Sequence, residues 1–162
     1  GPIQAVWFPE GPADALALWG FVPPEERNRH LVVTNAGGAN QNPAPWMAAA
    51  FAGRRVVVIR DADQAGEAGG EKWGRWLALD AGAAEVRRMR FPYEIREKHG
   101  PDLRDWINGL AVETEESPDS SGPQPSGPGD RPRTWETLLA MAEAAHVFGG
   151  RSDGQKFRVD CG

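Results

Sequence analysis

The stretch Arg55-Val56-Val57-Val58-Ile59-Arg60 runs without a break into Asp61-Ala62-Asp63-Gln64-Ala65-Gly66. Four consecutive β-branched residues are too apolar for a strand with one wet face, so they predict a strand covered on both sides. The signals on either side repeat this pattern. Ala5-Val6-Trp7-Phe8 reads as a short buried strand, followed by a helix from Pro12 to about Trp19 that stops at Gly20. Pro12 stands at a position where its missing N–H costs nothing, and Asp14 lies in the first turn, where the helix dipole favours an anion. Leu31-Val32-Val33-Thr34 is a second strand, ending in Asn35-Ala36-Gly37-Gly38, and a short helix from Trp46 to Phe51 is closed by Gly53. Beyond the central strand, a helix is expected from about Ala65 to Ala81 with Trp73, Trp76 and Leu77 inward. A strand from Glu85 to Phe91 and a short helix near Asp102 follow. Strands alternating with helices through short connections predict an α/β fold: a mostly parallel four-stranded sheet flanked by helices, Rossmann-like in kind.

Charge and composition divide the rest of the 162 residues, of which 40% are hydrophobic and seven are Trp. Residues 1–112 carry 13 basic and 14 acidic side chains, residues 113–133 carry 2 and 5, and residues 134–162 carry 3 and 4. The acidic excess therefore sits largely in the middle segment. Glu113 to Arg133 holds five Pro, three Gly and four Ser with almost nothing apolar, the composition of a disordered linker. Thr134 then caps a helix with Trp135, Leu138, Leu139 and Ala142 along one face. The 134–162 segment is too short to fold alone and reads as the truncated start of a following domain. The single cysteine, Cys161, excludes an internal disulfide framework and a thiolate zinc site. An intracellular, cytoplasmic setting is the expectation, and no apolar run has the length a membrane helix needs.

Ligands of an open parallel sheet gather beyond the C-terminal ends of its strands. Two strands here deliver acids to that rim: the first ends in Phe8-Pro9-Glu10-Gly11 and the central one in Asp61-Ala62-Asp63. Pro9 removes a ladder donor and marks an edge position or a strand end. Read singly, an Asp-x-Asp after a strand is a helix cap or turn, and a Glu-Gly is less informative still. Together, each between an apolar strand and a helix and with Gly66 placed for a tight backbone turn, they predict carboxylates crowded at one rim. A divalent cation relieves such crowding, and magnesium, a hard ion that takes one or two carboxylates and bridges to phosphate, fits best. If the strand conformation persists through Asp63, both Asp side chains point the same way. Asn35-Ala-Gly-Gly38 lies on the same rim; read alone it is a plain turn, and beside the acids it is a place for a phosphate backbone to approach. Arg54, Arg55, Arg60, Lys72, Arg75, Arg87, Arg88, Arg90 and Arg104 are the cations available to nucleic acid, each with a solvated surface role as its ordinary alternative. Arg60 adjoins the acids and serves equally as their ion-pair partner. The alternation of Arg87-Arg88-Met89-Arg90 turns at least one member to the opposite face. His30, His99 and His146 show no ligand spacing and read as surface histidines.

Glu10-Gly-Pro-Ala-Asp14-Ala-Leu, Asn35-Ala-Gly-Gly38, Asp61-Ala-Asp63-Gln-Ala-Gly66 and Gly100-Pro-Asp102-Leu-Arg-Asp105-Trp, in that order and over Ala5 to Leu110, resemble the Toprim domain. That fold is shared by bacterial-type DNA primases, phage and plasmid primase-helicases, type IA and type II topoisomerases and some nucleases. The Asp-x-x-Asp-Trp ending resembles the primase-helicase branch. The resemblance implies that residues 1–112 form a catalytic domain for RNA primer synthesis in DNA replication, a nucleotidyl transfer on single-stranded DNA with nucleoside triphosphates as substrates. It implies Glu10, Asp61 and Asp63 as catalytic residues and as ligands of magnesium, or of manganese in its place, with Asp102 and Asp105 as further metal acids. Asn35, Gly37, Gly38, Arg60, Gly66 and Lys72 are the implied nucleotide or nucleic-acid contacts, and a helicase domain is the implied neighbour in a parent chain. Asp14 is expected to stabilise its helix. The alternatives are a Toprim nuclease, in which the same acids activate water, and a non-catalytic nucleic-acid-binding module. A topoisomerase needs a nucleophilic tyrosine on another domain, and the one tyrosine here, Tyr93, falls in a loop.

Overall fold

The computed structural model describes residues 2–109 and 133–150. The linker expected over 113–133, apart from Arg133, and the segment 151–162 with Cys161 lie outside the described residues. One sheet organises the rest, with strands β1 (Ala5–Phe8), β2 (His30–Val32), β3 (Arg55–Ile59), β4 (Glu85–Met89) and β5 (His146–Gly150) in the order β2-β1-β3-β4-β5. The first four strands are mutually parallel, and β5 runs antiparallel to β4. The helices are α1 (Pro12–Phe21), α2 (Gln64–Leu79), α3 (Leu103–Ile107) and α4 (Trp135–Ala144). Among the described residues no helix is long and apolar enough to cross a membrane.

The run Val56–Ile59 is buried at every position because it forms the centre of this sheet. Alternation along the strands sends Trp7, Val57 and Ile59 to one face, where Leu18 of α1, Trp106 of α3 and Leu138 of α4 cover them. Phe8, Val56 and Val58 go to the other face, against Trp73 and Leu77 of α2 and Phe51. Trp73 is fully buried and meets Phe8 edge-on at 4.8 Å between ring centres. Truncating it to Ala would cost about 3–5 kcal/mol. Pro9 falls immediately after β1, at the strand end rather than on an edge, since β1 lies between β2 and β3.

The last two elements correct the sequence expectation. The sheet has five strands rather than four, and residues 135–150 do not open a separate unit. Thr134 caps α4 through its hydroxyl, as predicted, accepting from the Thr137 N–H at 3.2 Å. The apolar stripe of α4 is then laid on this sheet: the Trp135 ring lies tilted at 5.2 Å from Trp7 and edge-on at 5.0 Å from His30, and Leu138 is fully buried. β5 covers the otherwise open edge of β4. A short helix and five residues of strand cannot hold together alone, but a ready-made sheet face and edge remove that requirement. His30 is likewise not a surface residue: it is 3% exposed, and its Nδ1 accepts from Trp7 Nε1 at 3.1 Å. The short helix expected over 46–51 is a 3₁₀ segment, Pro45–Ala50.

Candidate functional site at the sheet rim

The pairing of β1 with β3 places the two predicted acids side by side. Phe8 is in register with Val58, so Glu10 and Asp61 leave adjacent strands within one residue of the same level. The Asp61 backbone N–H donates to Glu10 Oε2 at 3.2 Å. The chain then enters α1, whose first turn carries Asp14 inward, 7% exposed, rather than out toward water. α3 packs against α1 and brings Asp102 and Arg104 to the same place. Arg104 Nε donates to Asp14 Oδ1 at 3.0 Å and to Asp102 Oδ2 at 3.1 Å, and Nη2 also bonds Asp102 Oδ2.

These acids share one electrostatic field. Burial, followed by the negative charges of Glu10, Asp14, Asp102 and Asp63, pushes the Asp61 carboxyl up to about 7. Asp14 is pushed up to about 6, again first by burial and then by Asp102, with Arg104 pulling the other way. A carboxyl whose ionised form is disfavoured by its neighbours is one that a cation would stabilise. The donors at Glu10 and Asp61 are hard oxygens at a strand end, and magnesium takes one or two carboxylates while keeping several waters. This pair fits such an ion. Among the described residues no three His, Cys, Asp or Glu side chains are arranged to enclose a metal.

Asp63 is placed differently from Asp61. β3 ends at Ile59 and α2 begins at Gln64, so the strand geometry that would align Asp61 with Asp63 does not persist. Asp63 is instead the N-cap of α2, its Oδ1 accepting the Gly66 N–H at 2.8 Å, while Oδ2 accepts the Gly100 N–H at 3.2 Å. The loop after β4 is thereby fastened over the Asp61–Asp63 turn, with Arg96 N–H on Ala62 O and Ala62 N–H on Pro101 O, each at 2.9 Å. Two glycines allow this approach. A Cβ on Gly66 would stand 2.2 Å from Asp61 O, and one on Gly100 only 1.9 Å from Ala62 O. Gly66 thus serves the backbone turn. Asp102 and Asp105 form a capping box on α3, each carboxylate accepting the other's backbone N–H at 2.9 Å.

The predicted nucleic-acid contacts separate in the same way. Arg60 is 6% exposed, lies 4.5 Å from the centre of the Phe8 ring, and donates through Nη1 to Phe8 O and Ile59 O. Burial lowers its pKa to about 10 against the pull of Glu10 and Asp61, and its Nε and Nη2 have no partner among the described residues. Asn35, 3% exposed, also has no partner for either amide atom. Gly37 donates to Gln41 Oε1 at 2.8 Å, and Gly38 turns the chain with φ +59°. Lys72 reaches Asn40 O and Asn42 Oδ1 at 3.3 and 3.4 Å, tying α2 to that loop. Arg88 and Arg90 pair with Glu67, while Arg87 turns the other way to Glu85 and Glu143, as the alternation predicted.

Sequence reading missed two members of the cluster. Asp14 was assigned to the helix dipole alone, and Arg104 was one cation among nine. The available signal was spacing: an acid one helical turn beyond Glu10-Gly11 falls back over the strand end.

The sequence matches no protein-family model and no curated protein, and the fold matches no solved structure.

Proposed function

We propose that the rim formed by Glu10 and Asp61 is a magnesium-dependent phosphoryl-transfer site, and that its reaction is the nucleotidyl transfer of RNA primer synthesis on single-stranded DNA. The observation that carries this reading is the adjacency of two acids at neighbouring strand ends, where burial first and then the neighbouring negative charges raise Asp61 to about 7. The motif resemblance to Toprim primases and primase-helicases supplies the reaction class. Glu10 and Asp61 would hold magnesium, or manganese in its place, and the ion when bound supplies positive charge to phosphate oxygens. The chain's own contribution is positional. Asp63, through Gly66 and Gly100, fixes the turn that presents Asp61, and the α3 cap fixes Asp102 and Arg104 beside it. The turn at Gly37 and Gly38, with Lys72 across from it, would bring a side-chain-free backbone and a cation to a nucleic-acid backbone or a triphosphate. An intracellular location and a helicase domain in a longer parent chain belong to the same reading.

A non-catalytic nucleic-acid-binding module is the second reading. It draws on the capping of helices by Asp63, Asp102 and Asp105, which gives those acids a role in folding without chemistry.

Incubating the chain with single-stranded DNA, ribonucleoside triphosphates and magnesium or manganese tests both. Oligoribonucleotide synthesis that is lost in Asp61→Asn supports the primase reading. Metal-dependent cutting of the DNA without incorporation replaces it with a nuclease. DNA binding that ignores both the metal and Asp61→Asn leaves the binding module.

A further inference from the structure

Four of the acids at the rim, Glu10, Asp61, Asp14 and Asp102, divide by what faces them. Asp14 and Asp102 are bridged by Arg104, whose Nε lies 3.0 and 3.1 Å from one oxygen of each. No Lys, Arg or His among the described residues forms an ion pair with Glu10 or Asp61: enclosed Arg60 feels both charges but donates its Nη1 to the Phe8 and Ile59 carbonyls, and Glu10 accepts the Asp61 backbone N–H. Arg104 reaches back from the first turn of α3 with half its side chain exposed, while the Asp14 and Asp102 side chains beneath it are only 9% and 12% exposed. A planar guanidinium can bond two carboxylates at once, which the compact ammonium of lysine does less well. An ion arriving at Asp14 and Asp102 would have to displace a tethered cation already hydrogen-bonded to both.

We propose that Arg104 is a built-in counter-ion that takes the place of a metal at Asp14 and Asp102, so that the rim accepts one divalent ion, at Glu10 and Asp61, rather than two. This rests on the magnesium reading above and adds to it the stoichiometry and the residue that sets it. Arg104 is a positioning residue: it holds two acids out of the metal site and keeps α1 against α3. Two acids with retained waters suffice for one magnesium ion. A second ion, as in two-metal phosphoryl-transfer sites, would need the acids that Arg104 occupies.

Manganese binding to the full chain, counted by the loss of the free-ion electron paramagnetic resonance signal, tests this without reference to activity. The parent chain is expected to hold one ion. Arg104→Gln, with its fold checked by circular dichroism, is expected to hold two, and Arg104→Lys to return to one. Asp14→Asn covers the case in which Arg104→Gln fails to fold, since Arg104 and its bond to Asp102 remain. It should keep one ion with affinity within about threefold of the parent, whereas loss of a true ligand would weaken binding at least about tenfold. Two ions in the parent, one ion in a folded Arg104→Gln, or a tenfold loss in Asp14→Asn would each overturn the role given to Arg104 and leave the magnesium reading standing. No ion in the parent would overturn the magnesium reading itself, and with it the stoichiometry proposed here.

Discussion

The two ends of the central strand carry the same kinds of side chain in opposite electrostatic states. Where β3 starts, Glu85 accepts from Arg55 and Arg87 at 2.6 Å, and Glu143 of α4 accepts from Arg55 at 2.8 Å. Hydrogen bonds from these arginines hold both carboxyls below the usual glutamate range. Where β3 ends, Glu10 and Asp61 meet with no arginine ion-paired to either among the described residues, although buried Arg60 feels both charges, and burial followed by the neighbouring acids drives Asp61 up to about 7. The first arrangement closes a seam between α4 and the sheet. The second leaves two acids without an ion pair in a half-buried place, with only the enclosed Arg60 pulling on them. Perturbed acids concentrate where chemistry or ligand binding needs them, and the function proposed for the rim draws on this difference between the two ends of one strand.

That contrast is open to direct attack, and the largest effect is expected from Asp61→Asn. If the rim works as proposed, primer synthesis falls by at least about a hundredfold, the scale set by loss of a group that stabilises transferring charge. The same variant should raise the metal-free melting temperature above pH 7, because it deletes a charge that burial and the neighbouring acids both disfavour. Magnesium should then cease to stabilise the protein. Glu143→Gln at the other end should do the reverse, lowering the melting temperature with no change in the response to magnesium.

Gly66→Ala comes next. The added Cβ, 2.2 Å from Asp61 O, forces the start of α2 away from the turn, at a cost of about 1–3 kcal/mol by analogy with overpacked cores. Denaturant unfolding measures that loss, and it should be accompanied by weaker stabilisation by magnesium. A stable variant with an undiminished magnesium response would show that the turn does not present Asp61.

The pH dependence separates the ends by sign. Asp61, raised from its unfolded value of 3.8 to about 7, binds its proton more tightly in the folded state. Its contribution to metal-free stability therefore falls as pH rises between those values, and Asp14 adds to the same slope up to about 6. Glu85 and Glu143, held low, contribute stability that is present above the ordinary glutamate value and lost as pH falls through their folded values. Buried His30, whose pKa is lowered first by burial, loses stability as pH falls below 6.5. Comparing Asp61→Asn with the parent cancels that term, and melting curves between pH 5 and 8 should show a flatter slope in the variant. The smallest effect is the pairing of Arg55 with Glu143, about 0.5–1 kcal/mol in a double-mutant cycle, since Glu143 remains largely exposed.

Much of this architecture was legible. The β-branched run at Val56–Ile59 could only be a strand covered on both faces, and its junction with Asp61, set against Phe8-Pro9-Glu10, located the rim. What escaped has identifiable causes. β5 is His146-Val147-Phe148-Gly149-Gly150, too short and glycine-rich to display a period, and it is defined by an edge some sixty residues away in the chain, where Arg88 pairs with His146. The capping role of Asp63 escaped because two-residue alternation holds only while the strand lasts, and here the helix starts one residue later. Arg60 was read as a nucleic-acid contact or an ion-pair partner of the acids, and its enclosure over the Phe8 ring, with Nη1 on two strand-end carbonyls, depends on packing that the sequence does not display. Asp14 and Arg104 are 90 residues apart, and only the packing of α1 against α3 joins them.

The central claim is that Glu10 and Asp61 form a pair held under repulsion that a divalent ion relieves. Carbon-13 NMR of the side-chain carboxyl carbons, followed through a pH titration with and without magnesium, reads it directly. The expected result is an Asp61 carboxyl that titrates near 7 in metal-free protein and moves to markedly lower pH when magnesium is added. An Asp61 that titrates close to the ordinary aspartate value of 3.8, unmoved by magnesium, would contradict it.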